Sequence, residues 1–123
     1  MFTKFFTPQE ANQKLPIVKK IVFEILLKGQ TLKQVASQIE EKDDVPEEFM
    51  KLQDEIEILV MELENMGCFF KDWNFQIGLV DFPSRINGEE VLLCWRSDES
   101  ELQWYHTVEG GYNSRQLIPK DLL

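Results

Sequence analysis

Apolar residues recur at Leu15, Val18, Val22, Ile25, Leu32, Ala36 and Ile39, in alternating steps of three and four once Gly29 is counted. That spacing keeps one stripe of a helix against a partner, and it predicts a helix running to about residue 41. Thr7-Pro8-Gln9-Glu10 marks its start. Thr7 can cap, Pro8 suits the first helical position, and Glu10 can reach back to complete a capping box. Pro16 removes one backbone bond inside this helix and predicts a kink between Asn12 and Pro16. The run Lys42-Asp43-Asp44-Val45-Pro46-Glu47 then breaks the helix and starts another. Asp44 is its expected N-cap, with Pro46 and Glu47 in the first turn. A second seam follows at Phe49, Leu52, Ile56, Leu59, Leu63 and Met66, and Gly67 ends it in a left-handed conformation.

A short connection makes the two helices antiparallel neighbours. One register then sets Ile39 against Phe49, Ala36 against Leu52, Leu32 against Ile56, Gly29 against Leu59, Ile25 against Leu63 and Val22 against Met66. On this register Gly29 admits the Leu59 side chain, offsetting a cost of about 1 kcal/mol in helix propensity. Charge agrees with the pairing: residues 8–39 carry five Lys against two Glu, and residues 40–64 carry eleven acids against two Lys. Two stretches, residues 17–27 and 58–61, are apolar on more sides than one seam requires, so they call for cover from the sheet or from a second copy of the chain.

After Gly67 the pattern shortens to strand-length runs. Phe2 to Phe6 at the N-terminus reads as an edge strand or a docked arm. Cys68 to Lys71 is a strand or lead-in, Asp72-Trp73-Asn74 a turn, and Ile77 to Phe82 a strand closed by Pro83. Asn87-Gly88 is a two-residue hairpin turn. Glu89 to Arg96 is a central strand, Ser97 to Ser100 a polar turn, and Glu101 to Thr107 its antiparallel partner. Gln116 to Pro119 leaves along an edge. The expected fold is α+β: a long antiparallel, coiled-coil-like helical hairpin (residues 8–66) packed with an antiparallel sheet of three to four strands (residues 68–119), in one domain spanning residues 1–123.

Composition narrows the function classes. The chain has 123 residues, is 43% apolar and carries a net charge of −9. Such an acid excess argues against nucleic acid and against an anionic membrane surface. No apolar run has the length of a membrane helix, and the N-terminus is not a signal peptide, so a cytoplasmic location is expected. Cys68 and Cys94 are then reduced, and neither lies in a C-x-x-C pair; no metal site and no cofactor are expected from spacing.

The candidate polar residues are Asp81, Arg96, His106 and Arg115, with Trp95, Trp104 and Tyr112 nearby in sequence. A histidine beside an aspartate can act as a general base, and two arginines can hold a carboxylate or phosphate. Strand alternation puts Cys94 and Arg96 on one face, and Leu102, Trp104 and His106 on one face. The plainer readings are a hydrogen-bonded histidine at the sheet end, an Arg96 ion pair to Asp81, Asp98 or a nearby Glu, and Trp95 and Trp104 as core or helix-facing aromatics. No nucleophile elbow, glycine-rich phosphate loop or metal-ligand spacing appears, so no catalytic residue is assigned.

Four stretches together resemble a known family. These are Phe6-Thr7-x-x-Glu10-Ala11-Asn12-x-x-Leu15-Pro16, Gly78-Leu79-Val80-Asp81-Phe82-Pro83, Leu93-Cys94-Trp95-Arg96 and Trp104-x-His106. They are similar to a bacterial family of small proteins catalogued as domain of unknown function 2203. The likeness spans nearly the whole chain. It departs where members often carry Gly-Glu after the Cys-Trp-Arg strand and this chain has Ser97-Asp98-Glu99. The resemblance implies a single cytosolic domain and no particular reaction.

Three functional expectations follow. The first is a non-enzymatic interaction module, a homodimer formed through the helices. The second is a small-ligand site or enzyme built on Asp81, Arg96, His106 and Arg115. The third is a basic protein partner docked on the acidic second helix.

Overall fold

The Thr7 hydroxyl accepts from the Glu10 N–H at 3.1 Å while Glu10 Oε1 accepts from the Thr7 N–H at 2.8 Å, and this capping box opens the first helix. In the computed structural model, which describes residues 2–40 and 44–123, that helix, α1, runs Pro8–Ser37 and is followed by α2, Glu47–Met66. Five strands come next: β1 (Phe69–Lys71), β2 (Leu79–Ile86), β3 (Glu89–Arg96), β4 (Trp104–Thr107) and β5 (Gln116–Leu117). The helix continues through Pro16. Around it the Asn12 amide donates to the Pro8 and Leu102 carbonyls (3.2 and 3.1 Å) and its Oδ1 accepts from the Leu102 N–H (2.9 Å), tying α1 to the approach to β4.

Both helix boundaries at the hairpin turn correct the sequence expectation. α1 ends at Ser37 rather than near residue 41. There the Ser37 hydroxyl donates to the Gln34 carbonyl at 2.7 Å, and the next two N–H groups reach back only three residues, tightening the last turn. Asp44 is not the cap of α2. Pro46 is, in an extended conformation and with no side-chain cap bond. A proline disfavours helical geometry in the residue before it, so the helix cannot begin at Val45 and Asp44 lies too early. The expected break at Lys42 and Asp43 lies outside the described residues. At the far end Gly67 has φ +98° and closes α2 as expected.

Gly29 admits a different side chain from the expected Leu59. A Cβ on Gly29 would stand 2.1–2.7 Å from the Phe75 side chain, so the glycine makes room for a ring from the β1–β2 loop, not for the opposite helix. Phe75 is itself buried and packs edge-on against Trp73 at 6.2 Å, which packs edge-on against Phe70 at 5.1 Å. Lys28 meets Glu55 at 2.6 Å, more than one turn from Val60, the residue that the expected register sets opposite it.

The sheet is an antiparallel meander in the order β1-β2-β3-β4-β5, one strand larger than the three to four expected, because both short terminal strands pair. Asn87 and Gly88, both at positive φ (54° and 82°), turn β2 into β3 with Ile86 opposite Glu89. Pro83 does not close β2, which runs on to Ile86. The Pro83 carbonyl accepts from the Phe6 N–H at 2.7 Å, on the side away from β3. Its missing N–H faces that same side, so the β2–β3 ladder loses no bond. Residues before α1 thus form a docked arm rather than a strand, held also by the Ser84 hydroxyl on the Phe6 carbonyl at 2.5 Å.

The period-2 alternation divides the sheet into two faces. Phe70, Val80, Phe82, Ile86, Val91, Leu93 and Trp95 join Val18, Val22, Ile25, Ile56 and Leu63 of the helices in one core. Leu92 and Cys94 are buried but stand outside that core, on the face turned away from the hairpin.

Candidate functional site

The meander's register decides what meets on the outer face. Asp81 of β2 lies opposite Cys94 of β3; Cys94 lies opposite Trp104 of β4, and Leu92 opposite His106. Asp81, Cys94 and His106 therefore share one face on three adjacent strands, and all three are buried, at 5%, 1% and 3% exposure. The His106 Nε2 stands 3.3 Å from Asp81 Oδ1, and Nδ1 stands 2.8 Å from the Thr107 carbonyl. A carbonyl only accepts, so Nδ1 carries a proton. One ligand atom from each of the three side chains lies within 4.8 Å of the others. Asp81 foremost, then Cys94, raise the His106 pKa to about 10 by hydrogen bonding to the ring, against the opposing effect of burial.

These residues form the floor of a cleft of about 290 Å³ whose walls include Lys71, Leu79, Leu92, Val108, Gly111 and Tyr112. Residues 108–112 leave β4 and fold back over the outer face, with Gly111 at φ +67° making that reversal. Tyr112 is then fixed from behind. Arg96 Nη1 donates to its hydroxyl at 2.5 Å, and the Arg115 guanidinium lies 5.0 Å from its ring centre and 4.8 Å from that of Trp104.

The four polar residues expected from sequence thus all belong to one side of the sheet, but in two groups. Asp81 and His106 meet at the cleft floor. Arg96 and Arg115 stand behind Tyr112, and neither guanidinium lines the cleft. Both are already paired: Arg96 Nε with Asp98 at 2.6 Å, and Arg115 Nη2 with Glu99 at 2.7 and 2.9 Å and with the Cys94 carbonyl at 3.2 Å. Asp98, ahead of Tyr112, raises the Arg96 pKa further. The arginines hold Tyr112 and the Ser97–Ser100 turn in place. Glu99 also accepts from the Arg96 N–H at 2.7 Å, and its carbonyl accepts from Trp95 Nε1 at 2.8 Å. Trp95 is a core residue as expected, whereas Trp104 lies on the outer face beneath Arg115.

Sequence reasoning missed Cys94 as a member of the site. It placed Cys94 on the Arg96 face, but the partner across β2 depends on a register that only the Asn87-Gly88 turn reveals. A two-residue loop sets Ile86 opposite Glu89, and counting back from there puts Asp81 opposite Cys94.

Chemically, the floor offers a carboxylate, a thiol and an imidazole around one point. It is not laid out as a relay in which a carboxylate orients one ring nitrogen while the other activates a nucleophile. Asp81 shares the Nε2 side, and a backbone carbonyl holds Nδ1.

Among the described residues no helix is long and apolar enough to cross a membrane. No curated protein and no solved structure matches the chain. A family model does match residues 4–118, from the docked arm through Ile118, and so takes in both helices, all five strands and every residue of the cleft. The chain belongs to the family described as uncharacterized conserved protein (DUF2203).

Proposed function

We propose that this protein is an interaction module that pairs with a second copy of itself through the helical hairpin. The observation carrying this reading is the apolar surface that the sheet does not cover. Phe23 and Leu27, one turn apart on α1, are 63% and 55% exposed; Ile58 and Met61, on one face of α2, are 58% and 57% exposed. Large side chains grouped this way mark association surfaces.

The charge pattern selects the occupant. Phe23 borders an apolar groove of about 440 Å³ lined also by Val22, Leu26 and Trp95, with Lys19 and Lys20 on it. Ile58 and Met61 are flanked by Glu57 and Glu62. A twofold axis brings the α1 groove of each copy onto the α2 patch of the other, with Lys against Glu at both contacts. Two acidic α2 helices facing each other would repel instead.

Sedimentation velocity of the full chain at tens of micromolar tests this. Twice the 14.5 kDa chain mass is expected, and the monomer alone for Phe23→Lys or Ile58→Lys. Both positions are exposed, so the folded monomer persists in either variant. A wild-type species of 14.5 kDa removes the reading.

A second reading is favoured by a different observation, the convergence of Asp81, Cys94 and His106 at the floor of a cleft. That side of the molecule suits a small ligand, and the hairpin side is left free for assembly.

A further inference from the structure

We propose that Asp81, Cys94 and His106 together bind one divalent transition-metal ion of the zinc type, with a fourth coordination position open to the cleft. This rests on the small-ligand reading of the cleft and is independent of self-association.

Donor chemistry comes first. Carboxylate, thiolate and imidazole are the three side-chain ligands that zinc takes most readily, and a set of three protein ligands leaves one position for water or a small molecule. The mixed set disfavours magnesium and calcium, which take oxygen. Geometry follows. With metal–ligand bonds of roughly 2.0–2.3 Å, neighbouring donors of a tetrahedral site stand about 3.3–3.8 Å apart. The Asp81 Oδ1 to His106 Nε2 separation is 3.3 Å, long for a charged hydrogen bond but already the edge of such a tetrahedron. The largest separation among the three donors, no more than 4.8 Å, has to shorten by at most about 1–1.5 Å to reach that edge length.

The support around the cluster points the same way. Metal-binding histidines usually donate the other ring N–H to a carbonyl or carboxylate, which fixes the tautomer and aims the free nitrogen. His106 Nδ1 does this to the Thr107 carbonyl at 2.8 Å, leaving Nε2 turned to Asp81. The cluster is also buried, since each member sits on a strand and is at most 5% exposed. Zinc takes the thiolate and the unprotonated Nε2, so any proton that Cys94 Sγ or His106 Nε2 carries leaves to solvent on binding. Lys71, Leu79 and Tyr112 line the same cleft, so a water or anion at the open position would share it with a cationic side chain.

The test uses the full chain, stripped with a chelator and titrated with zinc and, separately, cobalt(II). We expect one ion per chain with micromolar or tighter affinity, and a cobalt spectrum with a thiolate charge-transfer band and the strong visible bands of tetrahedral geometry. Cys94→Ser should abolish the charge-transfer band, and Cys94→Ser, His106→Asn and Asp81→Asn should each weaken zinc at least tenfold. Circular dichroism checks that each variant is folded. The wild-type spectrum decides even where a buried variant fails to fold. Binding of no ion, a cobalt spectrum without the thiolate band, or zinc affinity unchanged by a folded Cys94→Ser would each overturn the proposal.

Discussion

Replacing Gly29 with alanine sets two effects of known sign against each other. In an open helix interior the change gains about 1 kcal/mol, because alanine is the better helix former. Here the new methyl would stand 2.1, 2.2 and 2.7 Å from Phe75 Cγ, Cδ1 and Cβ, closer than real Cβ atoms approach. Phe75 has little room to retreat. It is 8% exposed, its φ is +61°, its ring packs on Trp73, and its carbonyl accepts from the Gln30 amide at 3.2 Å. Overpacking a filled site costs about 1–3 kcal/mol, and three contacts under 3.0 Å put this one in the upper half of that range, about 2–3 kcal/mol. The net expectation is a loss of about 1–2 kcal/mol, or a fall in Tm of about 4–8 °C for a domain of this size. Urea and thermal denaturation followed by circular dichroism would read it. A double-mutant cycle then identifies the partner. In a Phe75→Gly background, which removes all three clashing atoms, Gly29→Ala should turn stabilising by up to about 1 kcal/mol, whereas in a Leu59→Ala background it should remain destabilising. A neutral or stabilising Gly29→Ala in the wild-type chain, or relief by Leu59→Ala alone, would refute the packing argument.

Other perturbations read other joints of the fold. Asn12→Ala leaves both backbone groups of the buried Leu102 without their partner, and should cost about 2–4 kcal/mol by urea denaturation, against under 1 kcal/mol for an exposed site such as Asn113. Burial pushes the Cys68 thiol up to about 12 from its usual value of 9.0, and its Sγ donates to the Leu63 carbonyl at 3.3 Å. The native chain should therefore leave Cys68 unmodified by iodoacetamide at pH 8.5, with labelling only on unfolding. The unfolded thiol ionises near 9 and the folded one does not, so this contribution to stability is intact below pH 9 and is lost as pH rises toward 12. The decline is about 1.4 kcal/mol per unit, and it should be absent in Cys68→Ala.

How much of this was legible in the sequence depends on whether the cause is local. The Thr7–Glu10 box, the Gly67 helix end and the Asn87-Gly88 turn are each decided within a few residues, and each appears where expected. Pro83 misled because a proline's effect in a strand depends on which side its missing N–H faces; the Asn87-Gly88 register turns that side away from β3, and its occupant, Phe6, lies far away in sequence. Gly29 misled for a similar reason. Its seam position pointed to α2, but the space is filled by a loop aromatic that carries no periodic signal. Asp81 and His106 were chosen by residue type and do meet, while the arginines chosen with them serve Tyr112 and the turn. Cys94 became visible only once three strands were aligned.

The outer-face cluster exists only if β2, β3 and β4 pair in this register, since a slip of one residue sends alternate side chains to the other face. The Pro83 carbonyl points away from β3, so Asp81 and Cys94, in phase with the Pro83–Leu92 pair, form a non-hydrogen-bonded pair whose Cα atoms stand about 4.5 Å apart. Two-dimensional NMR on the labelled chain reads this directly. A strong Hα–Hα cross-peak is expected between Asp81 and Cys94, with His106 ring protons close to the Cys94 Hβ and no His106 contact to Val22 or Ile25. An Asp81 Hα cross-peak to Leu93 or Trp95 instead, with the His106 ring against the helices, would contradict the site and everything built on it.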